Sequence, residues 1–101
     1  MRLYDAAEII RSKNAGPFTL TIDLIFNSPA DYEYVLNSPA FTSARIAAIY
    51  RVEPTSVHIH SFQRVLAMKI AMPRPVASSG SPGDTDVYGS QQHFPLAELE
   101  V

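Results

Sequence analysis

The sequence contains no cysteine and no tryptophan among its 101 residues. Without cysteine the chain forms no disulfide, no thiolate nucleophile and no zinc–thiolate site. It also has no apolar run near the roughly 20 residues that a membrane-spanning helix needs. The first residues lack the apolar stretch of a signal peptide. We therefore expect a cytoplasmic protein with no membrane partner.

Clustered positive charge is also missing. The chain has eight Lys and Arg residues against ten Asp and Glu residues, a formal net charge of −2. Nucleic-acid affinity depends on groups of Lys and Arg that neutralise phosphates, so this composition argues against a nucleic-acid partner. The charge is nevertheless uneven, because every Lys and Arg lies at or before Arg74 while four carboxylates follow it. This pattern predicts a slightly basic body and an acidic C-terminal part.

The hydrophobic fraction of 47% is enough for one modest core in a single domain. Asp5 and Glu8 have the spacing of a capping box and predict a first helix over residues 6–13, which Gly16 would end. Residues 18–24 then alternate between apolar and polar side chains, the pattern of a half-buried strand. The N-terminal part is thus predicted as a helix followed by a strand.

Two helices and a hairpin are predicted next. Ser28 before a proline is typical of a helix start and predicts a helix to about residue 37, and Thr42 predicts the cap of another. Residues 57–62 and 65–72 alternate again and predict a β-hairpin. On its second strand, the residues expected on one face are Leu66, Met68, Ile70 and Met72, with Lys69 on the other.

This order of elements predicts an α+β fold. We expect a small mixed sheet of three to four strands, ferredoxin-like in part, with helices on one face. Residues 1–75 form the body, and residues 76–101 form an extended C-terminal arm that could close as an edge strand over residues 96–101. At about 3.3 Å per residue the arm can reach on the order of 50 Å, enough to grip a second protomer, so we expect a homodimer.

The arm carries the first group of candidate ligand-binding residues. Its hydroxyl, carboxylate, amide, phenol and imidazole groups are suited to recognising a polar partner. The candidates are Ser81, Asp84, Thr85, Asp86, Tyr88, Gln91, Gln92 and His93. The carboxylates of Asp84 and Asp86 could also hold a divalent cation, but the preceding Pro-Gly favours a structural turn, so we predict no metal site there.

A second candidate group lies near the N-terminus. Arg11, Ser12, Lys13 and Asn14 concentrate hydrogen-bond donors that could bind a carboxylate or a phosphate. The alternative is a helix C-cap whose cations complement the helix dipole.

The three histidines form a further constellation. His58 and His60 are two apart on one strand and so share a face, and a zinc site would result if His93 folded back over them. We favour the alternative, which is a polar sheet surface or histidines that lie buried beneath the arm and bond to its hydroxyls. No nucleophile elbow, P-loop or dinucleotide fingerprint occurs, so neither a catalytic residue nor a cofactor is predicted.

Two segments together resemble a known family. They are residues 10–18, IRSKNAGPF, and Arg74-Pro75 followed by residues 79–93, SGSPGDTDVYGSQQH. They are similar to the small bacterial and fungal family of unknown function that accompanies acyclic terpene utilisation (AtuA-like) proteins, as a separate chain or a fused domain. The resemblance implies an accessory subunit in the catabolism of branched acids or their acyl-CoA derivatives.

Three functional hypotheses follow. The first is a non-catalytic or co-catalytic small subunit that docks on an AtuA-like partner and contributes residues 11–17 and 79–93 to a shared polar site. The second is a stand-alone small-molecule or metal-dependent enzyme with its site at a homodimer interface. The third is a purely structural assembly domain.

Overall fold

The computed structural model describes residues 1–16, 18–73 and 94–101, in which one four-stranded sheet packs against α-helices. The elements in chain order are α1 (Leu3–Ala6), β1 (Ile9–Asn14), β2 (Thr19–Ile25), α2 (Pro29–Leu36), α3 (Ser43–Tyr50), β3 (His58–Phe62), β4 (Ala67–Pro73) and α4 (Phe94–Ala97). Short 3-10 turns precede and follow β3, at Pro54–Ser56 and Gln63–Val65. The predicted α+β class is confirmed.

The first predicted helix, over residues 6–13, is wrong. The helix α1 is a single turn with no side-chain cap, and the chain then enters β1. Along β1 the buried Ser12 lies between the exposed Arg11 and Lys13, which is the two-residue period of a strand. Six positions of β1 pair with β2, and this ladder outweighs a short helix that is costly to nucleate.

The strand order is β1-β2-β4-β3, and each of these three pairings is antiparallel. The helical crossover from β2 to β3 does make those two strands run in the same direction, as the sequence suggested. They are not neighbours, however, because β4 lies between them. The sheet therefore differs from the mixed sheet that we expected, although the crossover itself is present.

The hairpin of β3 and β4 is confirmed, and so are the faces of β4. Met68, Ile70 and Met72 are at most 2% exposed, whereas Lys69 is exposed. Ile70 lies opposite Ile22 of β2, so the apolar residues of the two central strands share one face.

Both predicted helix caps in the middle of the chain are confirmed. The Ser28 hydroxyl accepts a hydrogen bond from the Asp31 backbone N–H at 3.2 Å. The Thr42 hydroxyl accepts one from the Arg45 N–H at 3.1 Å. Each cap satisfies a donor that the first turn of a helix leaves without an intrahelical partner.

The helices cover one face of the sheet and enclose the core with it. The largest fully buried side chains are Tyr32, Leu3, Leu20, Ile22, Leu24, Ile46, Met68, Ile70, Met72, Leu96 and Val35. In the part of the chain that the structure describes, no helix has the length and apolar character needed to cross a membrane.

The last eight residues pack onto this core instead of forming the edge strand predicted over residues 96–101. Leu96 lies in α4, and both Leu96 and Leu99 are buried. Two residues three apart face the same side in a helical turn but opposite sides in a strand, so the turn lets both leucines reach the core. The β-pairing that remains here is an isolated bridge between Arg2 and Glu100.

Candidate functional site

The sheet face opposite the helices presents three rows of side chains that run across the four strands. We call this surface the open face. Its first row is Ile9, Ile25, Ala67 and Phe62; its second is Arg11, Asp23, Lys69 and His60; its third is Lys13, Thr21, Ala71 and His58. The rows follow from the strand register, because side chains of directly paired residues point to the same side of a sheet.

The middle row holds an ion pair at its centre. The Arg11 Nε lies 3.4 Å from Asp23 Oδ2, and the Arg11 side chain is 66% exposed while that of Asp23 is 20% exposed. Lys69 lies directly opposite Asp23 on the neighbouring strand β4, but the two side chains do not form a salt bridge. Among the described residues, neither Lys13 nor Lys69 has a carboxylate within 4.0 Å. In the described part of the chain, the open face therefore has two lysines that form no salt bridge.

Charge is distributed unevenly between this face and the rest of the protein. Among the described residues, the open face holds three of seven Lys and Arg residues but one of eight Asp and Glu residues. With neutral histidines its formal charge is therefore positive, although the chain as a whole has a net charge of −2. A positive surface on a negative protein favours an oriented encounter with an acidic partner.

The first row adds apolar surface beside these charges. Ile9 is 44% exposed and Phe62 is 49% exposed, with the half-buried Ile25 and Ala67 between them. A depression of about 210 Å³ lies where this row meets the Arg11 to Lys69 row. Ligand pockets usually have about 300–1,000 Å³, so this depression suits a protruding side chain of another protein better than an enclosed small molecule.

The N-terminal candidate residues do not converge. Arg11 and Lys13 point to the open face, whereas Ser12 and Asn14 lie at the alternate positions of β1 and point to the opposite face. Ser12 is only 7% exposed there. Because β1 replaces the predicted helix end, the four residues form neither a helix C-cap nor a single cluster of donors.

The structure places His58 and His60 on the same face, as the sequence predicted. His93 lies outside the described residues, so the hypothesis of a site made of all three histidines is untested. The arm candidates also lie outside them, namely Ser81, Asp84, Thr85, Asp86, Tyr88, Gln91, Gln92 and His93.

Three residues of the open face escaped the sequence reasoning. Asp23, Lys69 and Phe62 were treated as ordinary strand positions, yet they surround the depression together with Arg11. Asp23 and Lys69 each occupy a polar position in an apolar–polar alternation, which is the signal of a position that faces away from the core. Their proximity to Arg11 was hidden because Arg11 was assigned to a helix.

A larger cavity of about 730 Å³ lies on the helical side, between α2 and the turn at residues 38–40. Its walls include Ala30, Pro39, Ala40 and Tyr34, whose hydroxyl donates a hydrogen bond to the Val101 carbonyl oxygen at 2.8 Å. None of the predicted site residues that the structure describes lines this cavity.

The geometry defines a small α+β domain whose antiparallel sheet is covered by helices on one face and bare on the other, in the part of the chain described. The chain belongs to the DUF4387 family, a domain of unknown function, whose sequence model matches residues 3–100. No curated protein and no solved structure matched the chain. The family description names no partner, so the association with AtuA-like proteins stays a prediction.

Proposed function

We propose that this protein is an accessory subunit that docks on a larger AtuA-like partner, and that the open face is its contact surface. One observation carries the proposal: an exposed apolar row lies directly beside cationic rows on a sheet face that the protein's own helices leave bare. Contiguous exposed apolar surface bordered by polar groups is typical of interaction sites.

The chemistry of the face favours docking over catalysis. Its one carboxylate, Asp23, is held by Arg11 at 3.4 Å and so is not free to act as a general base. The adjoining depression is small, about 210 Å³, and one lysine, Lys69, lies in its wall. Such a surface is suited to recognising another protein, with the reaction carried out on the larger subunit.

The size of the face indicates how much more surface a stable complex needs. Four strands about 4.8 Å apart and up to seven residues long give an area of roughly 400 Å². One side of a standard interface buries about 800 Å². Other exposed apolar residues, Phe18 beside β2 and Val65 before β4, would extend the contact, since they are 62% and 66% exposed.

The sequence resemblance supplies the identity of the partner and the metabolic setting. We propose that the partner is the AtuA-like protein of the same genome and that the complex acts on branched acids or their acyl-CoA derivatives in the cytoplasm. The arm residues 79–93 are proposed to complete a shared polar site. We also propose a homodimer, since β1 and β3 are the edge strands of the sheet; a monomeric mass in light scattering at tens of micromolar would contradict it.

Calorimetric titration of the AtuA-like protein into this chain tests the docking proposal. Phe62→Ser should weaken binding at least tenfold, because it removes an aromatic anchor from the apolar row. Leu36→Ser is the matched control, since Leu36 is 39% exposed but lies on α2, in the helical layer. It should bind as the wild type does.

Two outcomes would contradict the proposal. An absence of heat at any concentration up to about 100 µM, a range that includes weak transient complexes, would remove the AtuA-like partner. Equal weakening by Phe62→Ser and Leu36→Ser would mean that the open face is not the contact surface. Binding of an acyl-CoA or a divalent cation by the isolated chain would instead favour the stand-alone enzyme.

A further inference from the structure

The charges of the open face indicate the chemistry of the surface that docks on it. We infer that this surface is acidic. The inference rests on the proposed docking function and names the chemistry of the partner's contact surface. It depends on the cross-strand rows, not on the identity of the partner.

The first step concerns Lys13 and Lys69. Neither has a carboxylate within 4.0 Å among the described residues, so within this part of the chain both ammonium groups are left to water. A partner that covers the face removes this water, and an unpaired charge is then costly. Carboxylates on the partner would replace the lost hydration with charge-assisted hydrogen bonds.

The second step excludes another copy of this chain as the occupant. A two-fold interface through the open face would bring Arg11, Lys13 and Lys69 of each copy against the same three cations of the other. The carboxylate on each face that could pair with these cations is Asp23, and Asp23 already forms an ion pair with Arg11. Like charges across an interface suppress association. The open face therefore disfavours contact with the open face of a second copy and favours contact with an acidic surface.

The third step concerns the two histidines. His60 lies opposite Lys69 and His58 lies opposite Ala71, and both imidazoles are exposed. The other charged groups that face them across the sheet are Arg11, Lys13 and Asp23. Each imidazole can donate a hydrogen bond to a carboxylate of the partner, and neither brings a negative charge to the face.

An acidic peptide tests the inference without the natural partner. Decaglutamate titrated into the 15N-labelled protein at low salt should shift amide signals of β1, β3 and β4 in NMR spectra. Salt screens exposed charges, so we expect binding about three- to tenfold tighter at about 20 mM than at about 150 mM salt. Decalysine, the control peptide, should cause no such shifts on these strands.

Matched variants locate the effect. Lys69→Gln should weaken decaglutamate binding about two- to fivefold. Arg45→Gln removes the same charge from an exposed position of α3 on the helical side and should leave binding unchanged.

The results that would overturn the inference are distinct from those that test docking. Shifts centred on Arg2, Arg45 or Arg51, or equal weakening by Lys69→Gln and Arg45→Gln, would show that the open face does not select acidic surfaces. Docking of the AtuA-like protein with no dependence on salt would overturn the inference and leave the proposed function intact. Peptide binding without AtuA-like docking would instead support the inference and contradict the proposed function.

Discussion

The phenol oxygen of Tyr50 accepts a hydrogen bond from the backbone N–H of Leu96 at 3.3 Å, across 46 positions of the sequence. The Leu96 side chain is fully buried in the core. The bond therefore joins the end of α3 to α4. It holds the last residues of the chain against the core, where the sequence had predicted an extended arm.

Removal of this hydroxyl should destabilise the fold. Tyr50→Phe leaves the Leu96 N–H without its acceptor in a partly buried place, and such a loss typically costs about 1–3 kcal/mol of unfolding free energy. Tyr4→Phe is the control, because Tyr4 is 63% exposed, and should change the free energy by less than about 0.5 kcal/mol. Urea denaturation of both variants measures the difference. Equal stability of the two would show that the bond contributes nothing.

The same residue should shape the alkaline stability of the protein. Burial raises the pKa of the Tyr50 phenol above its ordinary value, although the hydrogen bond from the Leu96 N–H lowers it in part. The unfolded chain therefore loses this proton first, above about pH 10, and the free energy of unfolding falls as the pH rises further. Denaturant melts between pH 9 and pH 11 should show a shallower fall for Tyr50→Phe than for the wild type.

The two faces of β4 should respond very differently to truncation. Ile70 is fully buried against Ile22, so Ile70→Ala should cost about 2–5 kcal/mol of unfolding free energy. Its neighbour Lys69 is exposed, and Lys69→Ala should cost well under 1 kcal/mol. Denaturant melts compare them directly, and similar losses in both would mean that the sheet does not have the faces described.

Both helix caps should contribute measurably to stability. Ser28→Ala and Thr42→Ala each remove a hydroxyl that accepts a backbone N–H in the first turn of α2 or α3. We expect a cost of about 0.5–2 kcal/mol for each variant. Replacement by Asp, which retains a cap acceptor, should restore most of the loss in thermal melts. A failure of Asp to do so would indicate that the hydroxyls act in some other way.

The arm candidates should matter for binding rather than for folding. We expect Asp84→Ala, Asp86→Ala, Gln91→Ala and His93→Ala, made singly, to leave the melting temperature nearly unchanged, as polar changes away from a core usually do. Each should weaken docking on the AtuA-like protein if it contributes to a shared site, where a hydrogen bond to a charged group is worth about 1.5–3 kcal/mol. Variants that melt early but bind normally would assign the arm to packing.

Local signals in the sequence were sufficient for the middle of the chain. The caps at Ser28 and Thr42 and the alternation along β2, β3 and β4 depend on residues within one or two turns or along one strand. Such signals act whatever the rest of the chain does, so the α+β class and the buried face of β4 were predictable. For the same reason His58 and His60 were placed correctly on one face.

The tertiary structure decided the remainder. Residues 9–14 become a strand because β2 offers a complete ladder. Leu96 in α4 and Leu99 in the turn after it both reach the core, because the core lies on one side of them. The grouping of Arg11, Asp23 and Lys69 depends on the register of three strands that are distant in sequence. Composition alone determined the negative net charge. The pairing of the strands is what brings Lys and Arg side chains together into a positive surface, because the register is set by contacts between strands that no local pattern contains.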